Sequence, residues 1–347
     1  MKPFFSVIVP LYQCERYVEQ CLRSLTDQTF EDFEAIVVDD ASPDDSLSVA
    51  KRVANGDDRF LFLAMPCNQG QSAARNQALD HAQGDVIVLL DADDYLDPSA
   101  LEKIASRFQR QKLDDLYFNA EAFYEDAESY KRVVEDFSKR PEYPGVATGM
   151  ELFTFFESRG QWMPHGALRA VKRSIIEDNH IRFKEGIIHE DLLFTFQTLL
   201  LSKRSSYLGE ALYRRRIHTG STMAAPRKSM RNIEGHLIAV NYLRGWMREH
   251  ASEIEPEFAA AAAHRIEDYL NTCAIDYLND VPEEERSRFL RDLTPPERVE
   301  FELDIAQRAA LLSDIYQSRS YRVGHALTAA PRALANALEK ATRKHAR

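Results

Sequence analysis

Cysteine is scarce in this 347-residue chain. The four present, Cys14, Cys21, Cys67 and Cys273, show no Cys-x-x-Cys spacing. They read as free, partly buried thiols of a reducing cytoplasm. No run of about 18 consecutive apolar residues exists, so no membrane-spanning helix is predicted. The opening MKPFFSVIVP has no charged leader, long apolar run or cleavage site, which predicts no secretory signal. Positive charge is in deficit. The net charge of -11 argues against a general nucleic-acid binder and predicts no nucleic-acid partner. Also missing are a Gly-x-Gly-x-x-Gly fingerprint, a Walker-type loop and a Gly-x-Ser-x-Gly elbow. The usual dinucleotide, P-loop and hydrolase signatures are therefore excluded. No internal repeat or low-complexity linker is visible.

The hydrophobic content is 44%, enough for a large core in one big domain or two smaller ones. Over the first 120 residues, compact apolar runs alternate with helical patterns. FSVIVPLY, FEAIVVDD, RFLFLAMP and VIVLL read as strands. RYVEQCLRSLTDQ, DDSLSVAKRVANG, QSAARNQALDHAQG and PSALEKIASRFQRQ read as helices. This alternation predicts an α/β fold whose mostly parallel sheet is covered on both faces. Residues 121–225 are more mixed, with strand-like LYFNAEAFY and YLGEALYRRRIHTGS and a charged surface excursion near 125–145. From about 226 the chain turns helical and rich in Ala, Glu and Arg.

In parallel sheets, ligands sit beyond the carboxyl ends of the strands. The four predicted strands run into Pro10-Leu11-Tyr12, Asp39-Asp40, Asn68-Gln69-Gly70 and Asp91-Ala92-Asp93-Asp94. All four polar clusters fall on one rim. Crowded carboxylates raise one another's pKa unless a cation compensates them. The Asp-x-Asp run is therefore a solvated turn, a site for a hard divalent cation, or an aspartyl phosphatase nucleophile. The phosphatase reading prefers the first strand and a following Thr or Ser, whereas here Tyr95 follows the fourth. A phospho-receiver domain does not explain the second acidic cluster.

These residues resemble family 2 glycosyltransferases of the GT-A fold. The resemblance covers roughly residues 4–222 and rests on five stretches. They are FSVIVPLYQCERYVEQCLRSLTDQTFEDFEAIVVDDASPDDS, NQGQSAARNQAL, GDVIVLLDADD, HEDLLF and YRRRIHTGS. It implies a glycosyltransferase domain over 1–225, split into a nucleotide-sugar half (1–120) and an acceptor half (121–225), with a helical region over 226–347. It further implies that Pro10, Tyr12 and Glu15 line the nucleobase pocket, with Tyr12 stacking. Asp40 would accept from the base N–H, Arg75 would approach the base or diphosphate, and Asp91 would hold the ribose. Asp93 would hold Mn²⁺ or Mg²⁺ bridging the diphosphate. These roles suit the chemistry. A planar base wants an aromatic face and directed hydrogen bonds, and a departing diphosphate wants a cation.

The second acidic cluster is Glu190-Asp191. The resemblance implies a general base here, Asp191 first and Glu190 next, on the acceptor side of the sugar. A helix N-terminus that favours acids through its dipole gives the same pattern. Further along, strand alternation puts Arg214, Arg216 and His218 on one face and Arg215 on the other. Only one face is expected to serve the site. Arg216 is assigned to the diphosphate and His218 to the metal, against the alternative of an exposed basic strand end. His165 and Trp162 are candidates for an acceptor cleft.

The function implied is inverting transfer of a sugar from a nucleotide diphosphate sugar, UDP first, to a hydroxyl of a surface glycan or lipid-linked saccharide. Alternatives are a nucleotidyltransferase, disfavoured because PLYQCERY is no triphosphate loop, and a degenerate, non-catalytic glycan-assembly module. Residues 321–347 carry six Lys/Arg against one Glu. Val323, Leu327, Ala330, Leu334, Leu338 and Ala341 trace one helical face, restarted at Pro331. This basic tail either docks on the acidic body or attaches weakly to an anionic inner membrane surface.

Overall fold

The run FSVIVPL forms β1 (Phe5–Leu11), the centre of a parallel set completed by β2 (Phe33–Asp39), β3 (Phe60–Ala64) and β4 (Val86–Leu89). The computed structural model describes residues 2–125, 143, 145–218, 230–279 and 281–309. β1 pairs in parallel with both β2 and β4, and β2 with β3. Both faces of β1 are covered, which is why its sequence is apolar without alternation. The crossovers are α1 (Val18–Thr26), α2 (Ser46–Val53) and α3 (Gln71–His81). In α1, Val18, Cys21, Leu22 and Leu25 recur at helical spacing and are all buried.

Beyond β4 come β5 (Tyr95–Leu96), α4 (Ala100–Gln111), β6 (Asp115–Tyr124), α5 (Gly149–Glu157), β7 (Arg169–Lys172), α6 (Arg173–Asp178), α7 (Glu190–Leu201) and β8 (Ser205–Ile217). The described strands make one eight-stranded sheet in the order β3-β2-β1-β4-β7-β6-β8-β5. β7 runs antiparallel between β4 and β6, β6 pairs in parallel with β8, and β5 caps the edge antiparallel to β8. The sheet is therefore mixed but mostly parallel, as the sequence predicts. β5 and β7 are not predicted. β5 is two residues long, and β7 carries charges at both ends in Arg-Ala-Val-Lys. Arg169 is nonetheless fully buried, because Asp115 on the neighbouring strand neutralises it.

The helical region contains α8 (Met230–Glu249), α9 (Pro256–Asn279), α10 (Glu283–Asp292) and α11 (Pro295–Phe301). The chain divides into two compact units. The first is Met1–Pro226 with Glu234–Ile266, and the second is Arg227–Ile233 with Glu267–Arg347. Within the first, the buried Glu157 of α5 accepts from Arg265 of α9 at 2.9 Å and lies 2.7 Å from His264. Within the second, Asn232 donates to Asp276 at 2.7 Å, and Phe301 packs on Tyr277 and Phe289. None of the described helices is long and apolar enough to cross a membrane. The basic tail at 321–347 lies outside the described residues.

Candidate active site

The strand order reverses between β1 and β4, and a crevice opens where a parallel sheet reverses in this way. Tyr12 stands one residue beyond β1 and Asp91 two beyond β4. Tyr12 is 41% exposed, and Pro10, two residues earlier, is half-buried. Glu15 is exposed nearby and accepts from the Asp45 N–H at 3.4 Å. Asp40 is 2% exposed, and its two oxygens accept the N–H groups of Gln69 and Gly70, each at 2.7 Å. Asp40 thus ties the end of β2 to the loop before α3. Each oxygen keeps a second lone pair.

Arg75 joins the two acidic clusters. Its guanidinium is buried and bridges two carboxylates, Asp91 Oδ1 and Glu190 Oε1, each at 2.8 Å. It also packs over the Phe183 ring at 5.3 Å. Its two terminal nitrogens are occupied by acids of this chain. The same bridge joins the β4 acidic run to the α7 acidic pair, 99 residues apart between Asp91 and Glu190. Burial works against the Asp91 charge, but Arg75 and His165 outweigh it and hold Asp91 below the usual carboxylate range.

The acidic run divides its labour. Asp94 turns inward, accepting from the Tyr213 hydroxyl at 2.8 Å and from the Arg216 backbone N–H at 2.7 Å. The Tyr213 hydroxyl also accepts the Asp91 N–H at 3.2 Å. Asp94 therefore latches the run to β8. Burial, with Asp93 and Asp91 adjacent, pushes its pKa well up. Asp93 points the other way, half-buried, with the His218 ring nitrogen 3.0 Å from its Oδ2. Arg216 donates to the Asp93 carbonyl at 2.9 Å, and its guanidinium lies between the Tyr17 and Phe123 rings at 4.9 and 4.8 Å.

The sequence predicts that one face of β8 serves the site. Tyr213 bonds with Asp91 and Asp94 from one face, while Arg216 and His218 meet Asp93 from the other. Alternation holds, but the carboxylate turn receives contacts from both faces of the strand.

Among the described residues, no group of three or more His, Cys, Asp or Glu side chains could by itself hold a metal. Asp93 and His218 fit a cation that takes its other ligands elsewhere. A carboxylate oxygen and an imidazole nitrogen suit Mn²⁺ or Mg²⁺ completed by phosphate oxygens and water.

Glu190 and Asp191 open α7, following His189 in the left-handed conformation at φ 65°. Glu190 is 4% exposed and accepts from both Gln71 and Arg75. The cation of this pair thus sits on Glu190. Burial first, and then the neighbouring Glu190 charge, push the Asp191 pKa up to about 7. The Gly166 N–H is its hydrogen-bond donor. His165 begins the turn that carries Gly166, and its Nδ1 accepts the Ala167 N–H at 3.3 Å.

Trp162 does not line this rim. It is 5% exposed and sits in an aromatic core, edge-on to Phe153 at 4.8 Å and stacked near Phe196 at 5.6 Å. That burial leaves no ring face for a sugar. Sequence reasoning also missed Gln71, Asp94, Tyr213, Arg215 and Gly166. Asp94 was visible as a third acid in the run, but nothing in the sequence says which acid turns inward.

Residues 6–179, about half of the chain, match the model of Glycosyl transferase family 2. The uncharacterized glycosyltransferase YibD of Escherichia coli K12 is 27% identical over 91% of this chain and 85% of its own length. The chain spans less than two thirds of the length of several other relatives. Among solved structures, Staphylococcus aureus TarS 1–349 in complex with UDP superposes with a TM-score of 0.66. It is 21% identical and 91% of each chain is covered. The mannosyltransferase PcManGT of Pyrobaculum calidifontis, in complex with GDP-Man and Mn²⁺, gives a TM-score of 0.54 at 19% identity. That alignment covers 95% of this chain and 85% of PcManGT. At these identities the two structures show a shared fold.

Proposed function

The chain belongs to glycosyl transferase family 2, and from that premise we propose that it moves a sugar, with inversion, from a nucleotide diphosphate sugar to a hydroxyl acceptor. The observation that carries this reading is the placement of Asp191. It is a carboxylate with its pKa near 7, on the same rim as Asp91 and Asp93 and linked to them through Glu190 and Arg75. A general base works best when its pKa lies near the working pH. Glu190, held by Gln71 and Arg75, is the less available of the two acids.

The roles follow from position. Tyr12 offers its exposed ring to the base, with Pro10 and Glu15 beside it. Asp40 holds the floor of this pocket and keeps lone pairs for the base N–H. Asp91 accepts from the ribose hydroxyls. A divalent cation held by Asp93 and His218 would neutralise the charge that grows on the diphosphate. Arg215 and Arg216 add positive charge on either side of that group. On the opposite side of the sugar, the acceptor oxygen attacks the anomeric carbon while Asp191 takes its proton. The bond from that carbon to the diphosphate oxygen breaks, and the nucleoside diphosphate leaves with the electron pair.

UDP is the proposed nucleotide, supported by the UDP complex of TarS with the same fold. Residues 1–120 form the donor half and 121–225 the acceptor half, and a surface glycan or lipid-linked saccharide is the proposed acceptor class. Isothermal titration tests the donor side. UDP is expected to bind in Mn²⁺ at least roughly tenfold more tightly than in EDTA, because the cation neutralises the diphosphate charge. No UDP binding under either condition would remove the donor assignment.

A further inference from the structure

The corner that introduces the acidic pair is held from outside the region matched by the family model. His189 adopts φ 65° and ψ 35°. For a residue with a side chain this conformation is unfavourable, and it persists only where surrounding structure enforces it. Here the enforcing element is α8. A Cβ built at Gly235 would lie 1.8 Å from the Ile188 carbonyl oxygen and 3.5 Å from the His189 Cβ. The helix backbone therefore presses directly on the corner, and only glycine permits the approach. The next residue, His236, is buried and sets its ring edgewise on that of His189, with centroids 4.3 Å apart. Gly245 in the same helix provides the contrast, since a Cβ added there would meet no atom within 4 Å. A glycine inside a helix and a left-handed histidine are each unfavourable alone, and here they meet in one contact. The two residues that follow His189 are Glu190 and Asp191.

We propose that Gly235 and His236 are positioning residues: α8 holds the Ile188–His189 corner and thereby aims the Asp191 carboxylate at the acceptor. The proposal rests on Asp191 being the base. It gives the helical region a part in the chemistry, although neither residue touches the reacting atoms.

The test is Gly235→Ala, with Gly245→Ala as the control in the same helix. Amide hydrogen exchange over residues 186–192 should speed up by roughly tenfold or more in Gly235→Ala and stay unchanged in Gly245→Ala. Exchange in β1 should match wild type in both. UDP affinity should stay within about threefold. Turnover of UDP-N-acetylglucosamine, UDP-glucose or UDP-galactose should fall by roughly 10²-fold, in kcat and not in KM, since misplacement of about 1 Å is enough for that. In an Asp191→Asn background, Gly235→Ala should cost nothing further. If Gly235→Ala does not fold, His236→Ala carries the same readouts with smaller changes. Unchanged exchange over 186–192 would overturn the proposal, as would an equal loss in the Asp191→Asn background. If Asp191→Asn alone keeps wild-type turnover, the base assignment fails, and the exchange result still decides whether α8 holds the corner.

Discussion

Asp191→Asn should bind UDP as wild type does and transfer sugar roughly 10²–10⁴-fold more slowly. The amide fills the same space and keeps an oxygen for the Gly166 N–H, but it cannot take a proton. The wild-type pH profile should report the same group. With the Asp191 pKa near 7, turnover should fall about tenfold per unit below that pH and level off above it. The stability consequence has the opposite sign. A carboxyl raised from the ordinary value of about 3.9 holds its proton more tightly when folded, so ionising it weakens the fold as pH rises from about 4 to 7. Asp191→Asn removes that penalty, which is on the order of 1–4 kcal/mol. The variant should therefore melt several degrees above wild type at pH 8 and show no gain at pH 4. A variant that transfers at the wild-type rate would move the base elsewhere, with Glu190 next.

Asp93→Ala should have the second-largest effect. The leaving diphosphate gathers charge in the transition state, and a cation at that position is worth several kcal/mol, or roughly 10²–10³-fold in rate. Losing Asp93 should lower turnover by that factor and bring UDP affinity in Mn²⁺ down to its value in EDTA. Chelation of the wild type should do the same. Full turnover in excess EDTA would remove the cation from the account. Asp94→Ala is a useful contrast, since that carboxylate latches the turn to β8 through Tyr213 and the Arg216 amide.

The parallel half of the fold was legible because its strands are buried on both faces and its helices carry one apolar face each. α1, with its buried Val18, Cys21, Leu22 and Leu25, shows this plainly. β7 was not legible, because a buried Arg169 reads as surface until Asp115 is seen opposite it. The positions of Tyr12, Asp40, Asp91, Asp93 and Asp191, just past strand ends or at a helix start, could be read from the neighbouring apolar runs. Their partners could not. The resemblance implies that Arg75 approaches the base or diphosphate, and nothing in the local sequence shows its tie to two carboxylates of this chain. These are Asp91 and Glu190, brought in from 16 and 115 residues away. Trp162 looked like a sugar platform because local sequence does not reveal that Phe153 and Phe196 enclose it. The contact of Gly235 with Ile188 depends on a helix packing against a loop 47 residues earlier, which no local pattern signals.

The most direct test of the account is the anomeric configuration of the first product. Proton NMR can follow turnover of α-linked UDP-N-acetylglucosamine, UDP-glucose and UDP-galactose by the full-length protein in Mn²⁺, at times short against mutarotation. A single displacement assisted by Asp191 predicts that the β-anomer appears first, whether the acceptor is an alcohol or water. First appearance of the α-anomer would contradict the account, because it requires retention and a different use of these carboxylates.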